Sequence, residues 1–299
     1  MIRTYEPRDL DVAVGLLDLG SSSDTRVRWR RLLRSGDDVR AVVAERAGRV
    51  VGAAMAAAVP DYRGQRPVRI GVEECARGRG IGTALAVELA RIDRDVAEPL
   101  ALTLRDDRPD GRRFAERLGF RVVNHCTGWT VALDDAGALR VAADAAAVRA
   151  GVRLEATTVG EARERFVAAA ADSLAGMPSD TPIDLVEFAA HMPADVVVLF
   201  AEDHEGTAGV CLIRRDVGTG GWHTSYTGVA TRARRRGVAR AVKLGSFAAA
   251  AERGGTAMHA ENDDRNAPML ALSESLGMRR DLGYWTMEAV RLAPGDPAR

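Results

Sequence analysis

Short runs in which apolar residues alternate with polar ones, or follow one another without a break, are separated along this chain by stretches whose apolar residues recur every three to four positions. The first rhythm predicts strands and the second predicts amphipathic helices. In the first half, strands are expected at 2–5, 39–47, 50–59, 68–72, 100–104 and 120–131, with Gly48 turning the chain between the second and third. Helices are expected at 7–19, 26–34, 83–94 and 109–118. The second half repeats the alternation, with strands at 152–156, 196–202, 208–214 and 222–229, a strand carrying His259 and Glu261, and a last strand at 284–290. Its helices are expected at 160–171 and 239–253.

Two copies of one short pattern sit at matching strand-to-helix junctions. Arg77-Gly78-Arg79-Gly80-Ile81-Gly82-Thr83 follows the strand ending at Val72, and Arg234-Arg235-Arg236-Gly237-Val238-Ala239-Arg240 follows the strand ending at Val229. The first amides of a helix lack internal partners and carry the positive end of the helix dipole, so such a junction suits an anion. Gly80 and Gly237, having no Cβ, let main-chain N–H groups approach a phosphate, and a guanidinium fork adds charge-assisted bonds. The two glycines lie 157 positions apart, and a second landmark, Leu118-Gly119-Phe120 and Leu276-Gly277-Met278, recurs at 158. A repeat of that length is a duplicated domain.

Composition narrows the function without naming it. A chain of 299 residues accommodates two domains, each large enough for a core. Acidic and basic residues balance at 42 each, which argues against a global electrostatic grip on nucleic acid even with the basic run at 232–236. Lys243 is the sole lysine and falls in a helix pattern, and no Gly-Lys-Ser/Thr or Gly-x-Ser-x-Gly is present. Kinase, pyridoxal and serine-hydrolase chemistry are therefore not expected. Cys75, Cys126 and Cys211 lack the spacing of a metal site or a disulfide framework and read as reduced thiols, so no metal is expected. The first residues lack a leader's apolar core, and no apolar run approaches membrane-spanning length, so the protein is expected in the cytoplasm, away from membranes.

The strand, Arg-x-x-Gly-x-Gly/Ala loop, helix, strand, and helix ending in Leu-Gly-Phe/Met resemble the GNAT superfamily of acyl-CoA-dependent N-acyltransferases, in a tandem layout similar to that of mycothiol synthases. The resemblance covers nearly the whole chain. It implies a mixed α/β (α+β) fold of two GNAT domains, each a mostly antiparallel central sheet flanked by helices. The expected boundaries are 1–133 for the first domain, 134–150 for an alanine-rich linker, 151–292 for the second domain and 293–299 for a flexible tail. It also implies that both loops bind the pyrophosphate of acetyl-CoA and that the N–H groups of Val72 and Val229 stabilise the developing oxyanion.

Such a reaction needs a neutral amine. An alkylammonium with a pKa of about 10.4 costs roughly 4 to 5 kcal/mol to hold deprotonated at pH 7, so a base must take its proton. Candidates in the second copy are His223, Tyr226, His259 and Glu261, and strict alternation along 222–229 predicts that His223 and Tyr226 point to opposite faces. The tyrosine that the family often places three residues before the Leu-Gly-Phe leucine, to protonate the leaving thiolate, is replaced by Ala115 in the first copy and Ser273 in the second. Ser273 is the substitute donor to consider.

Two asymmetries favour catalysis in the second copy. Asn262 and Asn266 resemble the Asn-x-x-x-Asn element of GNAT enzymes, which contacts the pantetheine or caps the next helix, whereas the first copy has Asp106, Asp107 and Asp110. The stretch that borders the acceptor site in this fold is basic in the first copy (Arg26, Arg28, Arg30, Arg31, Arg34) but carries Asp172, Asp180, Asp184 and Glu187 in the second. An acidic rim attracts a cation. The expectation is an acetyl-CoA-dependent N-acetyltransferase acting on the primary amine of a small, cationic metabolite or antibiotic, as a monomer or homodimer. Two alternatives are mycothiol-synthase-like acetylation of a cysteinyl amine and a non-catalytic acyl-CoA-binding regulator.

Overall fold

The computed structural model describes residues 1–18, 23–36, 38–59, 64–95, 97–174, 184–216 and 221–293. In chain order the elements are β1 (Ile2–Thr4), α1 (Leu10–Leu17), α2 (Ser23–Ser35), β2 (Val39–Arg46), β3 (Arg49–Ala57), β4 (Arg66–Val72), α3 (Ile81–Ile92), β5 (Leu100–Arg105), α4 (Pro109–Arg117) and β6 (Arg121–Ala132). They continue as α5 (Ala136–Ala150), β7 (Arg153–Thr158), α6 (Val159–Leu174), α7 (Leu185–Ala190), β8 (Val197–Asp203), β9 (Gly206–Arg215), β10 (Trp222–Val229), α8 (Val238–Ala251), β11 (Ala257–Asp263), α9 (Ala267–Ser275) and β12 (Arg279–Ala289). The predicted strands and long helices are present, and α7 is an addition.

The chain forms two compact units, one of residues 1–125 with 284–299 and the other of residues 126–283. In unit one the strand order is β1-β2-β3-β4-β5-β12, antiparallel except for the β4–β5 pair. Helices α1 and α2 cover one face through Leu17, Trp29 and Leu33, packing on Val43 and Met55. Helices α3 and α4 cover the other through Leu85, Leu89 and Leu118, packing on Val42, Ala54 and Val68. β3 reads Val-Val-Gly-Ala-Ala-Met-Ala-Ala from position 50 and is buried on both faces, so a continuous apolar run replaces alternation there.

Unit two repeats the plan in the order β7-β8-β9-β10-β11-β6, with β10–β11 as its parallel pair. Helices α6 and α7 pack one face with Phe166, Ala170 and Leu185, and α5, α8 and α9 pack the other with Ala147, Phe247 and Leu270.

The domain boundaries differ from those expected in two respects. The last strand of each unit comes from the other sequence copy: residues 126–132 of β6 pair with β11, and residues 284–289 of β12 pair with β5. Strand partners are long-range, and neither periodicity nor the repeat carries them. The segment at 134–150 is not a linker but a helix of unit two. Asp135 caps it by accepting from the Ala138 N–H at 2.9 Å, and Gly151 ends it at φ +66°. Its buried Ala143, Ala146, Ala147 and Ala150 recur at helical spacing and pack against α8. A stripe of methyl groups is a packing face of low contrast, which is why composition alone suggested a spacer. Of the expected tail at 293–299, residues 294–299 lie outside the described residues.

Candidate active site: two parted strands and a polar pair

In each unit the central parallel pair holds together at one end and parts at the other. β4 meets β5 at Arg66–Leu100 and Pro67–Ala101, and β10 meets β11 from Trp222–Met258 to Thr224–Ala260. The edge of the central strand that faces the split can be read from its neighbours. Glu73 N–H donates to the Val51 carbonyl on β3 (2.9 Å) and Ala230 N–H to the Ala208 carbonyl on β9 (3.0 Å). Successive strand residues alternate edges, so Val72 and Ile70 in unit one, and Val229 and Thr227 in unit two, turn their N–H groups to the parted side. Both valines expected to act as donors therefore have the right orientation. Thr227 and Ile70 were missed, and the two-residue alternation from each valine was the available signal.

A close approach of helix to strand lies behind each split. A Cβ on Gly71 would lie 1.9 Å from the Leu16 carbonyl oxygen at the end of α1, and one on Gly228 would lie 2.1 Å from Ser173 Oγ on α6. Only glycine lets helix and strand approach so closely.

The phosphate-type loops have the expected form. Gly80 and Gly237 are the N-caps of α3 and α8, both left-handed (φ +75° and +87°), and neither supplies a side chain to the helix-start amides. The amides that open at Ile81-Gly82-Thr83 and at Val238-Ala239-Arg240 thus stand without a capping side chain, as an anion requires. Around Gly78 and Gly80 a Cβ would meet nothing within 4 Å. Where unit one has Gly78 at φ +72°, unit two has Arg235 at φ +66°, a conformation that costs a side-chain-bearing residue about 1–2 kcal/mol.

The arginines divide between scaffold and surface. Arg77 Nε donates to the Val72 carbonyl (3.1 Å) and Arg234 Nε to the Val229 carbonyl (3.4 Å), so these two brace the loop against its own strand rather than pointing away. Arg236 and Arg232 both bind Asp203 (3.0 and 2.8 Å), whose carboxyl these bonds hold well below the usual carboxylate range. Arg240 reaches Ser275 Oγ on α9 at 3.0 Å. Arg79 and Arg235 are exposed. In unit one the loop opens into a cavity of about 460 Å³ between α3, α4 and the parted β4 and β5, lined by Val72, Gly80, Thr83, Thr103 and Phe114 among others.

Unit two brings two candidates for acid–base work together. His223 Nε2 and Glu261 Oε2 are 2.5 Å apart across β10 and β11. Burial pushes the Glu261 carboxyl up, but the His223 bond and the nearby Arg214 and His259 charges outweigh it and hold the acid below its ordinary value. A carboxylate on Nε2 fixes the proton there and leaves Nδ1 as the basic nitrogen. That Nδ1 is buried and has no hydrogen-bond partner among the described residues. At the position of His223, unit one has Arg66, fully buried and bound to Asp93 (2.9 Å) and Asp38 (3.1 Å).

Other expected site residues are occupied elsewhere. His223 and Tyr226 do not point to opposite faces: the β9–β10 register slips between Thr224 and Tyr226, and a bulge restores one shared face. Tyr226 nevertheless turns into the α6 core, where its hydroxyl meets Ser173 Oγ (2.7 Å) and donates to the Ala170 carbonyl (3.1 Å). Its burial pushes the phenol up, away from any role as a base at neutral pH. Ser273 is fully buried against Asn262, whose amide oxygen accepts from Ser273 Oγ (2.8 Å) and Trp129 Nε1 (3.1 Å), while its nitrogen donates to the Glu261 carbonyl (3.2 Å). That bond ties Asn262 to the backbone of the strand bearing the polar pair. Asn266 caps α9 through the Met269 N–H (3.3 Å), which is its helix-capping role. Asp184 caps α7 by accepting from Val186 and Glu187 N–H, Asp172 is exposed on α6, and Asp180 lies outside the described residues. No acidic rim is assembled from the described members.

Comparison with known proteins agrees with this geometry. Residues 37–122, inside unit one, match the acetyltransferase (GNAT) domain family. No curated protein matches the sequence. Among solved structures, a tandem GNAT protein from the clavulanic acid biosynthesis pathway superposes with a TM-score of 0.73 at 20% identity, covering 99% of each chain. A GCN5-related N-acetyltransferase from Sphaerobacter thermophilus gives 0.68 at 18% identity, covering 97% of this chain and 96% of that one. Residues 37–122 thus match the acetyltransferase (GNAT) domain family, and over its whole length the chain has the fold of a tandem GNAT protein.

Proposed function

We propose that the protein transfers an acetyl group from acetyl-CoA to the primary amine of a small molecule, and that unit two carries the reaction. The observation on which this rests is the pairing of His223, on the central strand β10 that feeds the loop at 234–239, with Glu261 on its parallel neighbour β11. Acetyl-CoA supplies an activated acyl carbon and a thiolate leaving group. Glu261 holds the Nε2 proton of His223, and Nδ1 takes the proton that an ammonium must lose before its nitrogen can attack. Val229 and Thr227 offer N–H groups on the split edge to the carbonyl oxygen as charge develops on it. Removing one such group typically costs about 10²–10³ in rate, so two aligned amides are a substantial part of the barrier reduction.

Unit one has the same loop and an open cleft, but Arg66 stands where His223 stands and is spent in a buried ion pair. Its role in this reading is to bind an acyl-CoA without a base of its own. Since Asp184 caps α7 and Asp172 is exposed on α6, the reading rests on an amine acceptor and not on the acceptor's charge.

Calorimetric titration of acetyl-CoA into wild type, Gly80→Glu and Gly237→Glu, with turnover of an amine panel in parallel, tests this. The expected result is one site lost in each variant and turnover lost in Gly237→Glu alone. Two sites retained in both variants would exclude the loops as phosphate cradles.

A further inference from the structure

Arg69 is a charged side chain of unit one that the loop at 77–83 does not explain. It lies on β4 next to Ile70, whose N–H faces the split, and three residues before Val72, about 10 Å of strand rise. Its side chain leaves the sheet on the α1–α2 face, with the guanidinium carbon 5.2 Å from the centre of the Trp29 ring. Nη1 donates to the Thr103 carbonyl of β5 at 2.6 Å, so the guanidinium reaches across the gap between the two parted strands. Arg69 and Thr103 both line the 460 Å³ cavity.

The cavity's carboxylates are already matched. Asp107 binds Arg105 at 2.6 Å, with Arg108 at 3.7 Å, and Asp110 binds Arg113. For Arg69, no carboxylate lies within salt-bridge distance among the described residues. The acids whose charge it feels are Tyr284 and then Asp18, which is engaged by Arg26 (2.7 Å), and Arg28 adds a second positive charge. Burial without an acid pushes the Arg69 guanidinium down to about 10, which still leaves it charged at neutral pH. A charged guanidinium kept in a cavity with one carbonyl and one aromatic face as partners has several donors left over. In unit two the matching position is Tyr226, which is tied to α6 and offers no charge.

We infer that the cleft of unit one takes a ligand bearing a carboxylate at its acyl-transfer end, and that Arg69 holds that carboxylate. The inference rests on reading the cleft as an acyl-CoA site. Two ligands present this chemistry: an acyl-CoA whose acyl chain ends in a carboxylate, or a carboxylate-bearing amine that binds beside CoA. In both, the thioester end lies at the Ile70 and Val72 amides, and the anion crosses the split to the α1–α2 face.

Calorimetry in the Gly237→Glu background, where only unit one binds, separates the two. One arm compares succinyl-CoA with butanoyl-CoA, and the other titrates glycine and then ethylamine into CoA-saturated protein. A charge-assisted pair predicts roughly a 10-fold or larger preference for the carboxylate ligand in one arm. That preference is to vanish in Arg69→Gln and return in part in Arg69→Lys, with all variants melting cooperatively. Equal affinities in both arms with CoA itself bound would overturn the inference while leaving the cofactor site intact. Failure of CoA to bind at all would overturn the reading of the cleft and the inference with it.

Discussion

His223 and Glu261, 38 residues apart in sequence, meet at 2.5 Å across the parallel pair β10–β11. The carboxylate orients the ring, and Nδ1 is left without a hydrogen-bond partner among the described residues. On the proposed mechanism, His223→Gln lowers kcat/KM by about 10²–10⁴, the usual contribution of a general base. Glu261→Gln lowers it less, because the ring remains. The kcat of the two variants with CoA binding retained is the decisive measurement: an unchanged kcat in His223→Gln would assign the base elsewhere.

The approach of α1 to β4 at Gly71 leaves no room for a methyl group, with the Leu16 carbonyl oxygen 1.9 Å from where a Cβ would stand. Gly71→Ala forces helix and strand apart and is expected to destabilise unit one by about 3 kcal/mol, at the upper end for overpacking. Denaturant unfolding reads the loss. The strain falls on the strand that forms the cleft, so binding of CoA to unit one weakens with it.

Arg235 adopts the left-handed conformation that Gly78 adopts in the other loop. Arg235→Gly relieves the strain and should raise stability by about 1 kcal/mol, offset in part by the greater freedom of glycine in the unfolded chain. A higher Tm is the expected result, together with weaker cofactor binding if the exposed guanidinium contacts phosphate.

Asp203 gathers Arg232 and Arg236 onto one carboxylate at the second loop. Its pKa is depressed by folding, so its contribution is complete above the unfolded value of about 3.9 and is lost progressively as pH falls from there through the much lower folded-state value. Asp203→Asn removes that dependence: the variant melts below wild type at pH 7, and the gap between the two curves narrows as pH falls below about 4. A gap that stays constant with pH would show that the carboxylate's charge is not what braces the loop.

The exchange of last strands makes each half incomplete by itself. A fragment of residues 1–133 lacks residues 284–289, the β5 partner that contributes Met287 and Ala289 to the core. It is expected to show no cooperative melting, whereas the same fragment with 284–292 joined through a flexible linker folds.

What was legible in the sequence is what local chemistry dictates. Apolar rhythm located β1 to β5 and the helices that cover them, because a strand or helix with one buried face must repeat at its own period. The Gly80 and Gly237 loops were legible because only glycine tolerates that turn at a helix start, and the duplication because it preserved the spacing. Residues joined over long distances were decided by tertiary structure. His223 and Glu261 were each candidates, but their meeting depends on the register of β10 with β11. The shared face of His223 and Tyr226 depends on a one-residue slip against β9, which inverts every later prediction from alternation. Tyr226, Ser273, Asn266 and Asp184 have side chains suited to chemistry, and packing assigned them to the core and to helix caps. Arg69 shows the converse: an ordinary strand arginine in the sequence, it becomes a candidate anion site because β4 and β5 part beside it.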